Sequence, residues 1–118
     1  MEIKTFQDLR VWQYGHQLVL KIYKITKSFP DQEKFGLSTQ IRRSSASICA
    51  NICEGFKKNR KEFLRYLHIS QASLEETKYH LILSKDLLYF SEVEFGELMD
   101  LSETVGRMLN GLIKSFQE

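Results

Sequence analysis

QIRRSSASICANICEG, residues 40–55, is the stretch that decides how this chain folds. Ile41, Ser44, Ile48 and Ile52 recur at intervals of three and four, the period of one face of an α-helix. Around them Ser44, Ser45, Ala46, Ser47 and Ala50 carry little side-chain bulk, so a neighbouring backbone can approach closely. The segment reads as a helix packed on more than one side. Directly after it comes Lys57-Lys58-Asn59-Arg60-Lys61, four cations in five residues. A crowded interior helix therefore leads straight into a dense basic turn.

Three further helices flank this one. Upstream, a helix is expected over residues 8–28, with Asp8 as its N-cap and Phe6 as a staple. Leu9, Trp12, Val19, Tyr23 and Thr26 form its core stripe, and Leu18, Ile22, Ile25 and Phe29 an adjoining one. Phe29-Pro30-Asp31 ends it, because proline disfavours helical geometry in the residue before it. The central helix starts between residues 32 and 38 and stops at Gly55, read as a C-terminal glycine; Leu37 joins its core stripe. Asn59, with Glu62 three residues on, is a capping-box-like start for a third helix reaching about residue 89, roughly 45 Å. Its seam is Phe63, Leu67, Ser70, Leu74, Thr77, Leu81, Ser84 and Leu88, a near-alternation of large and small residues suited to interdigitation. Ser91 and Glu94 form a second capping box, opening a fourth helix with Phe95, Leu98, Ser102, Val105, Leu109, Leu112 and Phe116 on one face. Short connections make consecutive helices antiparallel neighbours. The fold expected is all-α: one domain, an antiparallel up-down-up-down four-helix bundle.

Composition agrees. At 118 residues, 42% hydrophobic and 27% charged, the chain can bury a core without metals or disulfides. One proline and six glycines are too few for the turns of an all-β fold. The net charge of +2 gives no whole-molecule argument for nucleic acid, so any such argument rests on where the charges sit. Cys49 and Cys53 lie one helical turn apart, a poor geometry for bridging, which reads as free buried thiols in a reducing, cytoplasmic setting. No apolar run approaches the roughly 18–20 residues that span a bilayer, and the N-terminus has no signal-like apolar core.

Two constellations could carry function. Lys57, Lys58, Arg60, Lys61 and Arg65, extended by Arg42 or Arg43, form a positive surface opposed nearby only by Glu54 and Glu62. It reads either as a phosphate-backbone contact or as a solvated loop that aids solubility. Arg43, Ser47, Asn51 and Glu54 share one face of the central helix, with Ser73 and Glu76 in corresponding places on the third. This is read as a structural polar network in which Arg43 pairs with Glu54 or Glu76 and Asn51 bridges. Trp12 and Tyr23 are assigned to packing, and Tyr66, beside the basic loop, is a candidate to stack on an unpaired base. His16, His68 and His80 are dispersed, and no zinc, di-iron or nucleophile signature appears, so no metal, cofactor or enzyme activity is expected. The first helix is apolar over a broad arc, and the fourth has a second stripe through Leu101, Met108 and Leu112. That pattern fits self-association or a wide core arc with scattered surface apolars.

From Phe6-Gln7-Asp8-Leu9-Arg10-Val11-Trp12-Gln13 through Phe29-Pro30, Glu33, Phe35-Gly36-Leu37 and Gln40-Ile41-Arg42-Arg43, the chain resembles the small bacterial proteins called 23S rRNA-intervening-sequence proteins. Ser47-Ile48, Asn51-Ile52, Glu54-Gly55, Ala72-Ser73-Leu74 and Glu76 continue the resemblance over essentially the whole chain. Departures fall at Cys49, Cys53 and Ala72, where the family often has proline, alanine and glycine; an unkinked central helix and a wider contact at residue 72 follow. The resemblance implies a four-helix bundle assembled as a ring-like homopentamer. Some members are encoded inside insertions in large-subunit ribosomal RNA genes, and a related branch, the accessory proteins of diversity-generating retroelements, binds nucleic acid with a reverse transcriptase. The family name records gene location, not chemistry. The function expected is a non-enzymatic scaffold or module binding RNA or DNA; the alternative is a protein-binding adaptor, for example for a reverse transcriptase.

Overall fold

Four helices, α1 (Arg10–Thr26), α2 (Leu37–Phe56), α3 (Arg60–Asp86) and α4 (Glu92–Gln117), make up the computed structural model, which describes residues 2–117. Short 3-10 turns, Phe6–Asp8 and Asp31–Glu33, precede α1 and α2. Each helix packs on two neighbours, in the order α1, α2, α3, α4 and back to α1. The contacts run in opposite senses along each pair. Arg60 meets Phe116 while Lys78 meets Glu103, and Gly15 lies on Cys49 while Thr26 meets Arg42. The result is an antiparallel up-down-up-down bundle, 43 Å long and 25 × 22 Å across.

One apolar seam per helix fills the interior. Leu18, Ile22, Ile41, Ile48, Ile52, Leu67, Leu74, Leu81, Val105 and Leu109 are fully buried. Each such side chain contributes about 1.5–3 kcal/mol relative to exposure. Between α2 and α3 the large residues alternate with hydroxyls. Thr77 Oγ1 donates to Ser44 Oγ at 2.9 Å, Ser47 and Ser73 share a hydrogen bond of 2.9 Å, and Ser70 Oγ donates to the Ile48 carbonyl at 2.7 Å. Every one of these hydroxyls has a partner, so the two helices lie close without leaving a buried polar group unsatisfied.

Several sequence expectations are corrected. The seam of α1 is Val11, Gly15, Leu18, Ile22 and Thr26, not the stripe through Trp12, Val19 and Tyr23; Tyr23 is exposed. Gly15 settles the choice, because a Cβ there would meet Cys49 Sγ at 3.0 Å. Asp8 does not cap α1. It closes a capping box with Thr5 around the 3-10 turn, accepting from the Lys4 and Thr5 amides, and those bonds hold its carboxyl below the usual range. Gly55 does not stop α2, which runs on through Phe56. A Cβ at Gly55 would lie 2.7 Å from Tyr66 Cβ and 2.9 Å from Phe63 Cδ1, so the glycine serves close α2–α3 approach. Asn59 does cap α3, accepting from the Glu62 amide at 2.9 Å, but the Glu62 carboxylate turns to Arg65 instead of closing the box. The Ser91–Glu94 box closes in both directions. On α4, Ile113 is buried where Leu112 was expected, and Leu112 is half-buried beside it.

The end of α3 differs most. The helix stops at Asp86, and Leu88, expected in the seam, is 87% exposed with φ of 64°. The Tyr89 amide donates to the Ser84 carbonyl and the Leu88 amide to that of Lys85, the two bonds of a Schellman cap. Glycine ordinarily takes this left-handed position, which crowds the Cβ of any other residue. Leu88→Gly should therefore raise the stability of the folded chain by about 0.5–1 kcal/mol, read as a higher urea midpoint with an unchanged slope.

Candidate nucleic-acid interface

The basic turn is short because both helices that flank it run to their limits. α2 ends at Phe56 and α3 begins at Arg60, leaving three residues, 57–59, to reverse the chain. Lys57, Lys58, Arg60 and Lys61 are therefore forced together and all are exposed. The structure divides the five candidate cations into two groups.

Arg60 and Arg65 are committed within the chain. Arg60 donates to the Ser115 carbonyl at 3.2 Å and to the Phe116 carbonyl at 3.1 and 3.2 Å, and its guanidinium lies 5.2 Å from the Phe116 ring centroid. It thus satisfies carbonyls left open at the end of α4 and opposes the negative end of that helix dipole. Arg65 pairs with Glu62 at 3.1 Å, and that carboxylate pushes its pKa further up. Its guanidinium lies 4.6 Å from the Tyr66 ring centroid, with Lys58 Nζ 5.9 Å from the same ring. Tyr66 is half-buried and already flanked by cations. Lys57, Lys58 and Lys61 form the other group: among the described residues, none of them pairs with a carboxylate.

The polar network also separates into two parts. Ser47, Ser73 and Asn51 come together, Asn51 Nδ2 donating to the Ser47 carbonyl at 2.8 Å and to Ser47 Oγ at 3.0 Å. Arg43 and Glu54 are exposed on the outer face of α2 and make no ion pair among the described residues, so the expected Arg43–Glu54 or Arg43–Glu76 pairing is absent within the chain. Glu76 instead meets His80 Nε2 at 3.1 Å.

Arg42 does work that its place beside Arg43 did not signal. It belongs to the far end of the bundle, where Nε donates to Thr26 Oγ1 at 2.7 Å and Nη2 to the Tyr23 carbonyl at 3.2 Å. Its guanidinium lies 4.6 Å from the Tyr23 ring centroid, repeating at α1 the arrangement Arg60 makes at α4. No spacing rule in the sequence marks either arginine, since both partners are distant along the chain.

Among the described residues no three His, Cys, Asp or Glu groups lie close enough to hold a metal. Both cysteines are free. Burial, and secondarily the neighbouring Cys53, pushes the Cys49 thiol up to about 12, so it stays protonated at neutral pH. Among the described residues no helix is long and apolar enough to cross a membrane.

Comparison with known proteins bears on the whole fold. The profile of a family described as 23S rRNA-intervening sequence protein matches residues 7–111. A crystal structure from Bacteroides thetaiotaomicron VPI-5482, described as a protein with unknown function from the S23 ribosomal protein family, is 29% identical. The match covers 88% of this chain and 98% of that one, with a TM-score of 0.79. Among curated proteins none matches the chain. Neither match indicates an enzyme family.

The division of cations has a direct consequence for stability. Arg60→Ala should cost about 1 kcal/mol by uncapping α4, whereas Lys57→Ala and Lys61→Ala should stay within about 0.5 kcal/mol of the parent in urea unfolding.

Proposed function

The chain belongs to the 23S rRNA-intervening sequence protein family, and we propose that it is a non-enzymatic, homo-oligomeric bundle that holds nucleic acid by its phosphate backbone. The observation that carries this reading is the group of three exposed lysines, Lys57, Lys58 and Lys61, crowded at the α2–α3 turn without a carboxylate partner among the described residues. Glu62, the nearest acid on α3, is occupied by Arg65, which leaves the lysine charges less opposed. Such a cluster favours phosphate through counterion release and carries no means of reading sequence. Arg60 and Arg65 act here as fixed positive background, since their donors are engaged at Phe116 and Glu62.

The homo-oligomeric part rests on the outer faces of α2 and α3. Arg43 and Glu54, opposite in sign and in no ion pair among the described residues, flank the exposed Ala50. On α3 the side opposite the seam presents Ala72 and Tyr79, the latter 59% exposed, with Ile69 and Ile82 beside them. A second copy would bury this apolar strip and give Arg43 and Glu54 partners across the contact. Repetition of the lysine turn around a ring would strengthen a weak phosphate contact by avidity. A homopentamer is the assembly that the family resemblance implies.

Labelled RNA and DNA titrated across a salt series test the first part. With three phosphate contacts per subunit engaged, log K should fall against log salt with a slope of about −2 to −3 for one subunit, steeper for an assembly. The triple reversal Lys57→Glu, Lys58→Glu, Lys61→Glu should abolish binding without lowering the melting temperature. Binding that survives the reversal, or that ignores salt, sinks the reading; a parent assembly that binds neither RNA nor DNA leaves the protein-adaptor alternative.

Sedimentation equilibrium tests the second part. Ala50→Arg or Tyr79→Glu should reduce the parent assembly to a folded monomer with unchanged helical content; a monomeric parent would overturn it.

A further inference from the structure

At the far end of α2 from the lysine turn lies a cleft of ≈ 200 Å³, lined by residues of the α1–α2 connection and the first turns of α2. Three features of the chain converge there. The first is the N-cap, Gly36, which has no side chain to accept from the amides that follow. Glu33 partly substitutes: its Oε1 accepts from the Leu37 amide at 3.1 Å, and a Cβ on Gly36 would collide with that oxygen at 2.7 Å. The other carboxylate oxygen of Glu33 accepts from the Tyr89 hydroxyl at 2.7 Å, and these bonds hold the carboxyl below its usual range. The Ser38 and Thr39 amides, which an N-cap side chain would normally serve, are left without an acceptor among the described residues.

The second feature is Ser38 itself. The buried polar residues are Thr26, Ser38, Ser44, Ser45, Ser70, Thr77, Ser84 and Ser102. All but Ser38 spend their hydroxyls on a carbonyl or another hydroxyl. Ser38, only 8% exposed, has no hydrogen bond to its hydroxyl among the described residues, although it lines the cleft. It is not one of the polar atoms sealed from solvent, which are Trp12 Nε1 and His80 Nδ1, so its hydroxyl keeps contact with solvent at a residue that lines the cleft.

The third is charge. Lys27, Lys34 and Arg42 line the same cleft with Asp31, and the Glu33 carboxylate lies at the same helix N-terminus. Neither lysine is in an ion pair among the described residues. Arg42 is fixed by Thr26 and Tyr23, which holds a permanent positive charge at the rim.

We propose that this cleft binds a phosphate oxyanion through the Ser38 and Thr39 amides, the Ser38 hydroxyl and the ammonium groups of Lys27 and Lys34. Two sources present that chemistry: free inorganic phosphate, and the terminal phosphomonoester of a nucleic acid. Oxyanion binding at an open helix N-terminus with flanking cations uses the dipole and the orphan amides together. The site is independent of the lysine turn, about 30 Å away along α2.

Amide-resolved NMR on the full chain tests it, with inorganic phosphate titrated against sodium chloride at matched ionic strength. The Ser38 and Thr39 amide resonances should shift and saturate with phosphate and not with chloride. Lys27→Glu with Lys34→Glu should weaken the phosphate affinity by about tenfold or more. Ser38→Ala should weaken it about threefold while leaving melting in chloride unchanged, because the hydroxyl bonds no other group among the described residues. A 5′-phosphorylated oligonucleotide and its dephosphorylated twin separate the sources. If the phosphorylated strand alone of the two moves the same amides, the nucleic-acid end is a ligand; if inorganic phosphate alone moves them, the ligand is the free ion. No saturable shift at Ser38 and Thr39 with either probe, or a shift that the double lysine reversal leaves intact, overturns the proposal.

Discussion

The contact on which the rest of the molecule depends is the run of hydroxyl pairs between α2 and α3. Ser44 with Thr77, Ser47 with Ser73, and Ser70 with the Ile48 carbonyl allow two backbones to lie close while each of these hydroxyls keeps a partner. Larger side chains there would push the helices apart, and an unpaired hydroxyl in so dry a place would cost more than its bond returns. Close approach continues to the end of the pair, where Gly55 lies under Tyr66 and Phe63. It also sets the length of the connection that follows. Two helices this near can be joined by three residues, and a three-residue turn between long helices is what crowds the lysines together.

Two arginines finish the bundle in the same way at opposite ends. Arg42 lies over Tyr23 and bonds the last turn of α1; Arg60 lies over Phe116 and bonds the last carbonyls of α4. In each case a guanidinium from the first turns of one helix bonds a carbonyl in the last turn of its neighbour. The planar fork and the weak hydration of arginine suit both tasks, and a lysine would perform neither as well. Arg42 and Arg60 therefore hold the structure, while the lysines at both ends of α2 pair with no carboxylate among the described residues.

Much of this was legible in the residues. All five predicted core positions of α2, from Leu37 to Ile52, are buried, because isoleucines at helical spacing admit one inward face. Asn59 and Ser91 cap the helices they were assigned to, since capping uses only bonds between residues three apart. The reading of α1 missed its face by part of a turn. Its apolar arc is so wide that periodicity cannot choose a direction, and the choice falls to Gly15 fitting against Cys49. Leu88 continued a heptad pattern on paper, yet the helix ends before it in a cap that pattern does not encode. Of the candidate surface residues, the charge cluster was visible as a run of letters. Which of its cations were already spoken for was not, because Arg60 finds its carbonyls more than fifty residues away.

The sequence by itself determined the number of helices, their order, the caps at Asn59 and Ser91 and the density of charge at one turn, since each follows from spacing over a few residues. The tertiary structure decided which face of α1 turns inward, what Gly55 is for, and which charges remain unpaired. Those outcomes depend on distances between residues far apart along the chain, and close packing between helices is what fixes such distances.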